Sequence, residues 1–208
     1  MENKFLWKAD DNRKKNSNIK KFADKISKKY NIDFKDSFIE LHNWSIKNPE
    51  HFWNDYWDYS QIIGNKGKQV ITKHKVFYKN QFFKDSKLNF AENLLIKNNQ
   101  ETAIYSLKEG GLKESITWKK LCENVFKISS FFKKIGLNKN DRVAGYVPNT
   151  IETIISFLAA AKNGHIWSSC SPDFGIQGLV DRFKQIEPKV LIACDYYYYN
   201  GKKINILN

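Results

Sequence analysis

The sequence predicts an α/β fold: a helical N-terminal cap followed by the first parallel βαβαβ part of a doubly covered sheet. Two observations carry this. Short apolar runs at 142–147, 165–169 and 189–194 alternate with helix-periodic segments at 150–163 and 176–186, repeating about every 24 residues. Strand–helix–strand–helix–strand at that spacing is two right-handed crossovers of a parallel sheet. In addition, 41% of the 208 residues are hydrophobic and 15% aromatic, which suffices for a core despite a formal charge of +13.

The N-terminal helices are read from periodicity. Residues 17–30 place Ile19, Phe22, Ala23 and Ile26 on one stripe opposite lysines, an amphipathic helix. A second helix is expected over 37–46. The chain restarts at Asn48-Pro49, an N-cap followed by proline at the first helical position. The third helix, 49–62, sets Phe52, Tyr56 and Tyr59 in a row with Trp53 and Trp57 beside them, a stripe suited to packing on a larger body. Residues 64–87 are polar with isolated aromatics and are expected to be irregular. A short helix at 89–97 follows, then two runs, 102–107 and 114–117, flanking Gly110-Gly111 as a hairpin. Thr117 caps a long helix with Trp118, Leu121, Cys122, Val125, Ile128, Phe132 and Ile135 inward, ended by Gly136. In the crossovers that follow, Pro148-Asn149 ends the first strand, Gly164 closes the first helix and Pro188 stops the second. After Cys194 four tyrosines lead to Asn200, Gly201 and two lysines, and a further helix is expected to be starting at Asn208. Because parallel sheets need both faces covered, the sheet is expected to continue beyond residue 208.

The charge is uneven. Residues 1–35 carry eleven bases and five acids, net +6, whereas 140–194 carry five of each. Lysines number 32 against three arginines, although phosphate and base-edge recognition favours the guanidinium fork. A self-standing basic nucleic-acid-binding module is therefore the lesser alternative, and no nucleic-acid partner is expected. The longest apolar stretch, 154–161, falls far short of the roughly 20 residues of a membrane span, and 1–15 lack a signal-like apolar region. A cytoplasmic protein without a membrane partner is expected. Cys122, Cys170 and Cys194 form no CxxC spacing and read as reduced thiols, with Cys170 and Cys194 expected near one another.

Most motifs of catalysis are absent. There is no GxxxxGK, GxGxxG or GxSxG, and His42, His51, His74 and His165 lack metal-ligand spacing. One loop stands apart: Cys170-Ser171-Pro172-Asp173-Phe174-Gly175 follows a parallel strand, where open α/β sheets build ligand sites. On position, Asp173 caps the next helix.

Several collinear segments match a known family: Phe52-Trp53; Leu88-Asn89-Phe90-Ala91-Glu92-Asn93-Leu94; Asp141-Arg142-Val143-Ala144 with Tyr146 and Pro148-Asn149; Ile166-Trp167-Ser168-Ser169 with the loop just named; Asp181-Arg182-Phe183 with Gln185-Ile186 and Pro188-Lys189; and Tyr199-Asn200-Gly201-Lys202. On these, residues 35–204 resemble the adenylate-forming acyl-CoA synthetases, and the Ser-Pro-Asp-Phe-Gly loop followed by Asp-Arg-Phe resembles their acetoacetate-activating branch. The resemblance implies an acid–thiol ligase. ATP and acetoacetate give an acyl-adenylate and pyrophosphate, then the CoA thiol attacks the acyl carbon and releases AMP, with Mg2+ offsetting phosphate charge.

It also implies an organisation: a basic leader and helix at 1–35, a cap segment at 36–97, and the start of an AMP-binding domain at 98–208. The phosphate loop, nucleotide contacts and catalytic lysine then belong to sequence that follows. None of the 208 residues is assigned a catalytic role, and the chain alone is expected to be inactive, to bind neither ATP, CoA nor Mg2+ tightly, and to need the rest of its own polypeptide as partner. One binding element is carried over for CoA. Gly201-Lys202 align with a glycine and a basic residue that touch CoA in related acetyl-CoA synthetases, while Tyr199 stands where those have arginine. A fragment of an acetyl- or propionyl-CoA synthetase is the alternative within the superfamily.

Overall fold

The computed structural model describes residues 7–111 and 113–206. The chain divides into two compact units, residues 1–87 and 88–208.

In the first unit, helices α1 (Asp11–Asn16), α2 (Asn18–Tyr30), α3 (Phe38–Lys47) and α4 (Pro49–Tyr59) follow one another. Their starts are set locally: the Asp10 carboxylate accepts from Arg13 N at 2.7 Å, and the Ser17 hydroxyl accepts from Lys20 N at 3.3 Å. Asn31, in the left-handed conformation at φ 53°, closes α2. Phe22, Ile26, Phe34 and Leu41 form the core. The Phe22 ring meets Phe52, Tyr56 and Tyr59 edge-on at 5.7, 5.7 and 5.1 Å, so Phe52 and Tyr59 of the α4 stripe pack on the core while Trp53 and Tyr56 stay exposed. Pro49 opens α4 as expected, but Asn48 caps nothing with its side chain; its amide turns back to Trp44 O at 3.1 Å. Residues 60–88 hold short strands, β1 (Gly64–Asn65), β2 (Ile71–Thr72), β3 (Gln81–Phe82) and β4 (Lys87–Leu88), and a 3-10 turn at Phe77–Lys79, with β2 and β3 antiparallel.

The second unit opens with α5 (Phe90–Leu94). Asn89 accepts from Glu92 N at 3.0 Å and donates to Ala161 O at 2.8 Å, capping one helix and tethering it to another. Strands β5 (Thr102–Leu107) and β6 (Lys113–Thr117) pair antiparallel around a 3-10 turn, Glu109–Gly111. The Thr117 hydroxyl accepts from Lys120 N at 3.2 Å and starts α6 (Trp118–Lys134), which Gly136 terminates at φ 81°. Then come β7 (Arg142–Tyr146), α7 (Ile151–Lys162), β8 (Ile166–Cys170), a 3-10 turn at Pro172–Phe174, α8 (Gly175–Lys184) and β9 (Val190–Ala193).

The parallel sheet has the order β8–β7–β9. Alternation along β7 divides its side chains between the two faces. Val143 packs with Leu121, Val125, Phe132, Ile155 and Leu158 of α6 and α7, whereas Ala144 and Tyr146 pack with Phe183 and Leu179 of α8. Leu158 and Val125 are fully buried, and each such side chain stabilises the fold by roughly 1.5–3 kcal/mol. The chain then forms an antiparallel hairpin, β10 (Tyr196–Tyr199) and β11 (Lys202–Asn205); the helix start expected at Asn208 lies outside the described residues. Among the described residues no helix is long and apolar enough to cross a membrane.

Candidate functional site

The carboxyl ends of β7, β8 and β9 bring three segments to one edge of the sheet: Tyr146 to Asn149, the loop from Ser171 to Gly175, and Cys194 with the hairpin after it. This is where ligand sites of open α/β sheets lie.

The loop is fixed from beneath. The Tyr146 ring is buried, and its hydroxyl donates to Pro172 O at 2.8 Å. Burial, with the neighbouring Cys170, Cys194 and Asp173 charges behind it, pushes the Tyr146 phenol up. Asp173 is not the cap of α8. That helix begins after Phe174, itself in a right-handed conformation, with no side-chain cap bond. Gly175, at φ 64° and ψ 174°, makes the turn in a region open essentially to glycine alone. Held off the helix axis by this turn, Asp173 accepts from the Ser171 hydroxyl at 2.9 Å and lies in hydrogen-bond reach of Tyr197. Partial burial, then that bond and the Asp173 charge, raise the Tyr197 phenol. The Arg182 guanidinium lies 4.2 Å from the centre of the Phe174 ring, so Arg182 holds the outer side of the loop by a cation–π contact.

The cysteines are separated, contrary to expectation. Since β7 runs between β8 and β9, Cys170 and Cys194 flank Tyr146 on opposite sides: Cys170 is in register with it, and Cys194 N donates to Tyr146 O at 3.3 Å. Both are free, and burial pushes both thiols up, which disfavours the nucleophilic thiolate.

The three residues carried over for CoA sit together at the hairpin tip. Asn200 at φ 50° and Gly201 at φ 72° form the two-residue turn, with Tyr199 and Lys202 opposite each other beneath it. An Asn-Gly pair with both residues at positive φ is the type I′ turn that matches strand twist. Tyr199, Gly201 and Lys202 are all exposed. The Glu109 carboxylate accepts from Asn200 N at 3.0 Å and Gly201 N at 2.9 Å. The sequence offered the Asn-Gly signal for this hairpin, but nothing local for Glu109, 91 residues away. Paired N–H groups with an ammonium alongside suit a phosphate group. Among the described residues no group of three or more His, Cys, Asp or Glu is placed to hold a metal ion.

An α/β sheet with its loop cluster at the carboxyl edge is built to place a ligand there, and residues 95–206 match the model of the AMP-binding enzymes, the family to which the chain belongs. It is 37% identical over 201 residues to an acetoacetyl-coenzyme A synthetase of Rhizobium meliloti, covering 97% of this chain and 31% of that protein. It is 34% identical to the malonamoyl-CoA synthetase vrtB of Penicillium aethiopicum, over 95% of this chain and 28% of that protein. The structure of acetoacetyl-CoA synthetase from Streptomyces lividans superimposes with a TM-score of 0.87 at 28% identity, over 96% of this chain and 31% of that one. The chain thus spans about three tenths of the length of these relatives.

Proposed function

We propose that this chain serves an ATP-dependent acetoacetate:CoA ligase, forming acetoacetyl-CoA, AMP and pyrophosphate through an acyl-adenylate. The observation that supports it most is the likeness to the Streptomyces lividans acetoacetyl-CoA synthetase over 96% of the chain, with a TM-score of 0.87. In this reading, residues 1–35 and 36–97 are the leader and cap, and 98–208 begin the adenylation domain. The chain supplies the first three strands of the sheet and the Tyr146-anchored loop. ATP, acetoacetate and Mg2+ are handled mainly by further sequence, and cytoplasm is the compartment in which the three free thiols stay reduced. CoA is met at the hairpin tip: its adenine stacks on Tyr199, and a phosphate takes the N–H of Gly201 and the Lys202 ammonium.

A second reading within the same chemistry rests on the malonamoyl-CoA synthetase relative. Acetoacetate and malonamate are both short acids with a carbonyl on the β carbon. The substrate class is then a β-carbonyl acid rather than acetoacetate alone.

The test is a chimera in which residues 1–208 replace the corresponding part of the Streptomyces lividans enzyme, assayed for AMP release with acetoacetate, malonamate, acetate and propionate. Acetoacetate-dependent AMP release, with the 208-residue chain alone silent in ATP–pyrophosphate exchange, is expected. A folded chimera that releases no AMP with acetoacetate overturns the assignment. Exchange by the chain alone overturns the placement of the catalytic residues.

A further inference from the structure

The Glu109 carboxylate spends both its oxygens on two consecutive backbone N–H groups, those of Asn200 and Gly201, at 3.0 and 2.9 Å. In a two-residue type I′ turn these N–H groups point away from the ladder and are free to bind an outside acceptor. Here that acceptor is an anion brought from another hairpin. Two adjacent N–H donors together with the exposed Lys202 next in the chain are a donor set for a phosphate oxygen as much as for a carboxylate.

We propose that Glu109 is an internal competitor for an anion site at the tip of the β10–β11 hairpin: a phosphate-bearing ligand takes the Asn200 and Gly201 N–H groups only by displacing it. The identity of that phosphate as one of CoA rests on the function proposed above; the competition does not. Three features fit a displaceable anion. Glu109 is carried on a short 3-10 turn rather than on the ladder, and Gly110 and Gly111 follow it, Gly111 at φ 78° with open space around it. The turn stays tied down when Glu109 leaves, because Lys108 is ion-paired to Glu114 at 2.7 Å across β5 and β6. A bound phosphate repels the carboxylate, so occupancy by one drives out the other.

The test titrates the 208-residue chain with inorganic phosphate and with adenosine 3′,5′-bisphosphate, following the backbone amide resonances of Asn200 and Gly201. Weak binding is expected in the native chain. Glu109→Ala tightens it about fivefold or more, the scale of a lost charged competitor at an exposed site, and Lys202→Met weakens it in both backgrounds. Unchanged or weaker binding in Glu109→Ala, with the hairpin's cross-strand contacts intact, overturns the proposal and leaves Glu109 a clamp on the turn. If that variant opens the hairpin, Glu109→Gln decides, since it keeps an acceptor oxygen without the charge: native affinity overturns the proposal, tighter binding supports it. The two readings separate cleanly. Tighter phosphate binding in Glu109→Ala, with adenosine bisphosphate no better than phosphate, supports the competitor and removes the CoA assignment. Bisphosphate binding that depends on Lys202 but not on Glu109 does the reverse.

Discussion

Gly145 and Trp167 are fitted to one another across two strands: a Cβ placed on Gly145 stands 2.7 Å from Trp167 Cζ2 and 2.9 Å from Cη2. The register pairs Val143 with Trp167 and Gly145 with Ser169, so the indole leans two residues along β7 and covers the glycine. Its Nε1 donates to the Ser169 hydroxyl at 3.1 Å and its ring faces Phe157 of α7 at 6.3 Å. The strand that carries Tyr146 thus owes its close cover to an absent side chain.

Gly145→Ala is expected to destabilise the chain by about 1–3 kcal/mol, the usual cost of overpacking. The measurement is denaturant unfolding of the single variant beside Trp167→Leu and the double variant. The Gly145→Ala cost should largely vanish in the Trp167→Leu background, since the two residues share one contact; an undiminished cost locates the strain elsewhere.

Tyr146→Phe removes the bond to Pro172 O and leaves a buried carbonyl without that donor. A loss of about 1–2 kcal/mol is expected. Hydrogen exchange should speed up first at residues 173–175. Uniform acceleration over the whole sheet would show that the hydroxyl does not act on the loop.

Asp173→Ala is expected to cost well under about 1 kcal/mol, less than a cap typically does, because α8 takes no bond from it. Its signature is instead on a neighbour. Partial burial and Asp173 together raise the Tyr197 phenol, so Asp173→Asn should bring one tyrosine's ionisation to lower pH in an ultraviolet titration. Tyrosine titration identical to that of the native chain contradicts the contact.

The pH dependence of the helical unit is expected to centre on Asp55, which is 3% exposed and ion-paired to Lys29. Burial alone pushes its carboxyl up, but the bonds from Lys29 and Tyr30, with the Lys29 charge, together outweigh it and hold the group below its ordinary value. A carboxyl depressed in the folded state contributes stability that is complete above its unfolded value, near pH 4, and is lost as pH falls through the folded value. Asp55→Asn should flatten that acid limb in thermal unfolding followed from pH 7 to 2. Lys29→Met, which leaves the buried carboxylate without its cation, should cost more than Asp55→Asn at pH 7, by about 1–2 kcal/mol. Equal costs would mean that the pair is solvated.

By itself, the sequence determined the elements whose causes are local. The change of period near residue 140 marked the three parallel strands and their helices, Thr117 and Gly136 bounded α6, and Pro49 opened α4. Each rests on bonds or side-chain spacing within a few residues, so composition and order suffice to read them. Tertiary structure alone decided the rest. Asp173 has a cap's position, but the backbone of Phe174 and Gly175 turns the helix start away, and its carboxylate goes to Ser171 and Tyr197 instead. Cys170 and Cys194 end successive strands of the chain, yet the order β8–β7–β9 puts Tyr146 between them. Glu109 meets Asn200 and Gly201 across 91 residues. Contacts of that kind leave no periodic or propensity signal, because their energy exists only once two distant hairpins are packed side by side.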